Sequence, residues 1–114
     1  MEKALQDKSF HFAVRIINLC KYLKINNREY IIYKQLFRCG TSIGANVAEA
    51  QQAQSRADFI SKLSIALKEA SETNYWLRLL HETQYLSEDA FLSIYEDCRE
   101  LEKLLVSIIK ASKE

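Results

Sequence analysis

Three glutamates are the residues of this chain whose type and spacing come nearest to catalytic or metal chemistry. Glu49 lies at the end of a helical stretch that contains both glycines, and Glu69 and Glu72 lie in the next helical stretch. Carboxylates on adjacent helices can hold two metal ions, but such sites also use two Glu-x-x-His motifs. Neither His11 nor His81 completes one, so we predict no metal ion and no cofactor.

The surroundings of Glu49 and Glu69 leave two interpretations open. Glu49 sits between Ala48 and Ala50, and Glu69 is followed by Ala70. These small apolar neighbours indicate partial burial, and a buried carboxylate must be paired or hydrogen-bonded. The two glutamates are therefore either part of a structural polar network that fixes the register of the helices, or a functional carboxylate pair in a small enzyme.

Basic side chains are concentrated at the start of the chain. Residues 1–27 carry five basic and two acidic side chains, whereas residues 87–114 carry four basic and seven acidic ones, although the formal net charge is only +1. A strip of basic and polar groups with one tyrosine is typical of a nucleic-acid contact, and a solvated helix face is the alternative. The candidate nucleic-acid-binding residues are Lys8, Arg15, Lys21 and Lys24.

The composition predicts one all-α domain spanning residues 1–114. The chain has no proline, two glycines and 48% hydrophobic residues, whereas sheets need turns rich in glycine and proline. No apolar run approaches the roughly 20 residues of a membrane span, and the first ten residues lack the apolar core of a signal peptide. We therefore expect a cytoplasmic protein without a membrane partner, and nothing in the sequence indicates a small-molecule substrate.

Apolar spacings of three and four residues predict four helices in an antiparallel up-down-up-down bundle. The first should run from Lys3 to Leu23, with a loop at residues 24–27. The second should run from Arg28 to Ala53, with Gly40 as the place where a break would occur. Serine N-caps at 55 and 87 should begin the third and fourth helices, which should end near residues 83 and 111.

Gly40 and Gly44 lie on successive turns of the second predicted helix. A glycine inside a helix costs about 1 kcal/mol relative to alanine, so two of them indicate a packing requirement. Together with Ala48 they form a ridge that would let another helix approach closely. The three cysteines, Cys20, Cys39 and Cys98, lie on apolar stripes, and we predict buried, reduced thiols.

The first two predicted helices are apolar around more of their circumference than a four-helix core requires. Either another subunit covers this surplus or it is a binding site for a partner. The residues in excess are Phe10, Val14, Ile17, Ile31 and Ile32.

Two segments, TSIGANVAEA at residues 41–50 and DFISKLSIALKEASETNYWLRLL at residues 58–80, strongly resemble the four-helix-bundle family named for proteins encoded in 23S rRNA intervening sequences. The resemblance includes the preceding QLFRCG and covers nearly the whole chain. The matching positions are Ser42, Ile43, Asn46, Glu49, Phe59, Ala66, Glu69, Glu72 and Leu77.

This resemblance implies a non-enzymatic, oligomeric binding protein. The family is similar in fold to the accessory variability determinants of diversity-generating retroelements, which form homopentameric barrels with a basic surface and bind nucleic acid and a reverse transcriptase. We therefore expect a homopentameric ring whose partner is RNA or a protein. The alternatives are a small enzyme that uses Glu49 and Glu69, and a purely structural scaffold.

Overall fold

Four helices form the bundle in the computed structural model, which describes residues 2–27 and 30–114. They are α1 (Glu2–Asn27), α2 (Tyr30–Ala50), α3 (Arg56–Glu82) and α4 (Glu88–Lys113). Each helix packs against the next in the chain, α4 also packs against α1, and the bundle measures 45 × 20 × 19 Å. The predicted four-helix bundle is confirmed.

The predicted loop at residues 24–27 is wrong, because α1 continues through Asn27. The segment contains neither glycine nor proline to stop the helix. The Asn26 side chain donates a hydrogen bond to the carbonyl of Tyr22 (2.8 Å), and Lys24 in the last turn suits the negative end of the helix dipole. The predicted start of the second helix at Arg28 lies outside the described residues.

The helix α2 passes through both glycines without a break, and neither has a positive φ. It ends at Ala50, three residues before the predicted end. The amides of residues 51, 52 and 53 instead donate to the carbonyls three residues earlier, at 3.2, 3.0 and 3.1 Å. The final turn is therefore tightened, as is common at helix ends.

Both predicted N-caps are confirmed. The hydroxyl of Ser55 accepts a hydrogen bond from the amide of Asp58 (3.0 Å), and that of Ser87 accepts one from the amide of Ala90 (3.2 Å). Each satisfies an amide that a helix start would otherwise leave without a partner.

A Schellman motif connects α3 to α4. Gln84 adopts a left-handed backbone with φ of 69°, and its amide donates to the carbonyl of His81 (3.1 Å). The amide of Tyr85 donates to the carbonyl of Leu80 (2.9 Å). This pattern usually places glycine at the left-handed position. The turn folds the chain back so that Leu86 is buried.

The core runs the length of the bundle and receives side chains from all four helices. Within the described residues, no helix combines the length and hydropathy needed to cross a bilayer. The largest fully buried side chains are Leu5, Phe12, Ile16, Leu23, Leu36, Ile43, Val47, Leu63, Leu77, Leu80, Leu101 and Leu105.

The glycines of α2 allow a close approach of α1. A Cβ atom at Gly40 would lie 2.8 Å from two side-chain carbons of Ile16, which is fully buried. A Cβ atom at Gly44 would lie 3.1 Å from the backbone oxygen of Ser9. The predicted packing ridge therefore consists of these two glycines, whereas Ala48 is exposed.

We expect Gly44→Leu to destabilise the fold by roughly 1–3 kcal/mol or more. The backbone of Ser9 cannot rotate away from the new side chain as a flexible side chain could, so α1 would have to move. Thermal and denaturant unfolding followed by circular dichroism would measure the loss. Ala48→Leu, one turn later on an exposed position, is the control and should remain folded. A Gly44→Leu protein as stable as wild type would contradict the close packing.

Candidate functional site

Two of the four predicted basic residues, Lys8 and Arg15, lie at the seam between α1 and α4, where their charges are paired. The Lys8 ammonium contacts a carboxylate oxygen of Glu100 at 3.1 Å. The Arg15 guanidinium contacts Asp97 at 2.6 Å and donates to the hydroxyl and carbonyl of Ser93 at 2.9 and 3.2 Å. These two cations therefore hold α1 against α4.

Lys21 and Lys24 differ from the other two predicted cations. Both are exposed near the end of α1, and neither has an ion pair with any residue that the structure describes. They are the members of the strip whose charge remains available to a polyanion.

A polar cluster joins α2 to α3. The Arg38 guanidinium contacts Glu69 at 3.3 Å and is also hydrogen-bonded to the carboxylate of Glu72. The indole of Trp76 donates to the same Glu72 carboxylate at 3.0 Å, and Gln35 accepts from Arg38 at 3.4 Å. Every member has a partner, so the cluster is a connected network across two helices.

These contacts change the acidity of the groups involved. The hydrogen bonds from Trp76 and Arg38 lower the pKa of Glu72 below its usual range. The hydrogen bond to Glu72 raises the pKa of Arg38 in turn. Both groups are therefore held in their charged forms.

Glu49 does not join this cluster. It contacts the ammonium of Lys62 at 3.2 Å, and its side chain is 60% exposed, whereas that of Glu69 is 20% exposed. The expected partial burial of Glu49 is therefore wrong, because the residue lies on the rim of the α2–α3 seam. Lys62 and Glu69 are seven residues apart on α3, or about 10 Å along the axis, so the two glutamates have separate cationic partners.

No group of three or more residues suited to metal binding occurs in the part of the chain that the structure describes.

Ser42 and Asn46, which also belong to the family motif predicted from the sequence, form hydrogen bonds within α2. Ser42 donates to the carbonyl of Arg38 (2.6 Å), and Asn46 donates to the carbonyl of Ser42 (2.8 Å). Both side chains therefore bond to backbone carbonyls of α2, the helix that carries both glycines.

The three cysteines are free and buried, as predicted. Burial raises the pKa of the Cys20 thiol to about 12 and that of Cys39 to about 11, and it raises the pKa of Cys98 as well. Since the thiolate is the nucleophilic form, none of them is suited to nucleophilic chemistry at neutral pH.

An uncovered apolar surface lies on the outer side of the α1–α2 hairpin, which we call the α1–α2 face. Phe10 is 73% exposed and Val14 is 42% exposed. Beside them runs a groove of about 460 Å³, whose lining includes Ala13, Ala45 and Ala48. Part of the apolar surface that the sequence predicts to be in excess is therefore exposed to solvent.

The other apolar residues that the sequence predicts to be in excess differ in how exposed they are. Ile31 is exposed, Ile17 is half-buried, and Ile32 packs against the core. Phe37, which the sequence analysis missed, is 46% exposed. It lies four residues before Thr41 of the groove, so helical spacing places it on the same face.

The acidic partners of the strip were also missed. The sequence did contain an indication of them, because residues 1–27 are net basic and residues 87–114 are net acidic. In an up-down-up-down bundle those ends become neighbouring antiparallel helices, so Glu100 and Asp97 could have been expected opposite Lys8 and Arg15.

Comparison with known proteins identifies a family and structures that resemble this chain. The family model described as 23S rRNA-intervening sequence protein matches residues 2–107. A crystal structure from Bacteroides thetaiotaomicron VPI-5482, of a protein with unknown function from the S23 ribosomal protein family, is 57% identical with a TM-score of 0.94. The match covers 96% of this chain and 97% of that one. No match to a protein of curated function is found.

We expect Glu69→Ala to cost about 1 kcal/mol of unfolding free energy, since it removes one acceptor from a half-buried charged network. Glu49→Ala removes only an exposed pair and should cost less than about 0.5 kcal/mol. Chemical denaturation of both variants would measure the difference. Equal losses would show that the cluster around Arg38 contributes no more than a surface pair does.

The lowered pKa of Glu72 predicts a dependence of stability on pH. Its carboxylate stabilises the fold fully above the ordinary glutamate pKa of about 4.3, and this contribution is lost as the pH falls through the lowered pKa of the folded state. Glu72→Gln should therefore be less stable than wild type at neutral pH, with a gap that narrows in acid. Glu96→Gln, at an exposed position on α4, is the control. A gap that does not change with pH would contradict the role of the Glu72 charge.

Proposed function

Since the chain belongs to the family of 23S rRNA-intervening sequence proteins, we propose that it is a non-enzymatic binding protein that assembles into a closed ring, with five subunits as the expected number and RNA as its macromolecular partner. The observation that carries the proposal is the uncovered α1–α2 face. The family name makes RNA the first partner to test.

The α1–α2 face is suited to contact with a second copy of the chain. Extended apolar surface on a soluble protein marks an interaction site, and a formal net charge of +1 gives little repulsion between copies. The groove beside Phe10 is lined largely by small side chains, which leaves room for a side chain of another subunit. Gln6, Asp7 and Thr41 supply polar groups at its rim, as protein interfaces usually do.

Other exposed apolar residues favour a ring over a two-fold dimer. Leu92 and Val106 are 45% and 51% exposed on α4, and Ile65 is 40% exposed on α3. These helices do not form the α1–α2 face. When two different surfaces of one chain are apolar, head-to-tail contacts cover both, and such contacts form a ring when the rotation between subunits closes.

A ring also strengthens the case for RNA. Lys21 and Lys24 together provide a modest positive charge on one chain, but a ring repeats it around the axis. Several weak sites that act together bind far more tightly than one. Such binding should fall steeply as salt rises, because phosphate contacts release counterions. The three buried free cysteines suit the reducing cytoplasm that we propose as the location.

The two alternatives, a small enzyme that uses Glu49 and Glu69 and a purely structural scaffold, have less support. Glu49 and Glu69 are bound to different cations on different parts of the α2–α3 seam, and the buried thiols are held in their unreactive form. A scaffold that binds only proteins is the outcome to accept if the ring forms and RNA does not bind.

Light scattering should report a species several times 13.3 kDa, with five copies as the expected number. Phe10→Glu should dissociate it, because a charge would be buried in the contact. Tyr75→Glu on α3, at a site that is 49% exposed and away from the α1–α2 face, is the control and should leave the assembly intact. A monomeric wild-type protein at micromolar concentration would overturn the ring.

RNA binding is tested best with Lys21→Glu and Lys24→Glu combined. The obvious pair, Lys8 and Arg15, would also lose the contacts that hold α1 to α4, so a change in binding there would be ambiguous. Lys103→Glu and Lys110→Glu on α4 make the same change in charge and serve as the control. Weaker binding only for the first pair, most visible at low salt, would support the proposed strip. Equal effects would show that only total charge matters.

A further inference from the structure

A group of aromatic residues lies at one end of the bundle, where α1 ends and α3 turns into α4. We call this region the aromatic end. The sequence contains twelve phenylalanine, tyrosine and tryptophan residues. Six of them, together with His81, line two clefts or contact the residues that do. They are Tyr22, Tyr75, Trp76, Tyr85, Phe91 and Tyr95.

A column of stacked rings forms the floor of this region. The imidazole of His81 lies parallel to the ring of Phe91, with centroids 4.2 Å apart and planes inclined by 6°. Phe91 in turn stacks on Tyr95 at 4.9 Å. Phe91 is buried, so the column is anchored in the bundle between α3 and α4.

Open clefts lie on both sides of His81. One has a volume of about 380 Å³ and is lined by Tyr75, Arg78 and Phe91 among others. The other has a volume of about 610 Å³ and includes Tyr22 and Tyr85. His81 borders both. Tyr22 and Tyr75 remain 54% and 49% exposed, so their rings are only partly used in packing the bundle.

Polar groups in the clefts match the edges of nucleobases. Glu82 borders both clefts, and Gln84 and Ser87 border the larger one. Carboxylates, amides and hydroxyls are the side-chain groups that hydrogen-bond base edges. The Arg78 guanidinium lies 5.9 Å from the centroid of the Tyr75 ring, and guanidinium planes also stack on unpaired bases.

Positive charge lies near the same end of α1 as Tyr22. Lys21 precedes Tyr22 in the sequence, and Lys24 follows it by two residues. Single-stranded nucleic acid is bound by aromatic rings that stack on bases together with cations that contact the phosphates. A double helix offers no exposed base faces to such rings.

We propose that the two clefts beside His81 bind unpaired bases of single-stranded RNA, with Tyr22 and Tyr75 as stacking residues and Lys21 and Lys24 as phosphate contacts. This inference rests on the proposed function and specifies its ligand and its site. In a cyclic ring, the aromatic ends of all the subunits lie at equivalent positions about the axis, so one strand can contact several of them.

The test compares a short single-stranded oligouridylate with an RNA duplex of the same length, by fluorescence anisotropy of labelled RNA at low salt. We expect the single strand to bind more tightly. Tyr22→Leu combined with Tyr75→Leu should weaken its binding by about tenfold or more, because both stacking surfaces are removed. Phe59→Leu makes the same kind of change at a half-buried ring near the start of α3, away from both clefts, and should bind like wild type. Light scattering checks that each variant keeps the wild-type assembly.

Trp76 provides a second readout. It is the only tryptophan of the chain, and its ring lies 5.5 Å from that of Tyr75, so a base bound at the smaller cleft should change its emission. Arg78→Gln should reduce this change, whereas Arg99→Gln, an equal change of charge on α4, should not.

The outcomes separate this site from the broader proposal. If the tyrosine variant binds like wild type while Lys21→Glu and Lys24→Glu weaken binding, RNA remains the partner but the clefts are not the site. If duplex and single strand bind equally, stacking is contradicted. If wild type binds neither RNA at low salt, both the RNA partner and this site are overturned.

Discussion

The close approach of α1 to α2 is the constraint on which the rest of the structure depends. Gly40 leaves room for the side chain of Ile16, and Gly44 leaves room for the backbone at Ser9. A β-carbon at either position would separate the two helices. The cost of two glycines inside a helix is thus offset by packing that larger residues would prevent. Gly44 also lines the groove beside Phe10, so the requirement for close packing also shapes the surface that we assign to assembly.

Charge organises a second seam of the bundle, the one between α1 and α4. The basic start and the acidic end of the chain meet as α1 and α4, where Lys8 and Arg15 contact Glu100 and Asp97. The excess of basic residues at the start of the chain, which in the sequence is typical of a nucleic-acid-binding surface, is therefore partly neutralised by ion pairs within the fold. What remains available is the positive charge of Lys21 and Lys24, next to the aromatic end.

Local signals in the sequence were sufficient for the fold but not for the site. Apolar periodicity and the serines at 55 and 87 predicted the helices and two of their starts, because both depend on neighbours in the chain. The end of α1 was missed because a polar Lys-Ile-Asn-Asn segment has no residue that stops a helix. The separation of Glu49 from Glu69 could not be predicted, since it depends on which cation of the adjoining helix lies opposite each carboxylate. The clefts beside His81 were missed for a related reason: they combine residues of α1, α3 and α4 that share no motif.

The polar seam between α1 and α4 has a consequence for the order of folding. Every other pair of packed helices is adjacent in the chain, so each hairpin can form through local contacts. The contacts of Lys8 and Arg15 instead join residues 78 to 92 positions apart, and closing so long a loop costs more entropy. We therefore expect docking of α1 onto α4 to be the last event of folding and the first of unfolding. Because exposed ion pairs are weakened by salt, ionic strength should act on this step before it acts on any of the hairpins.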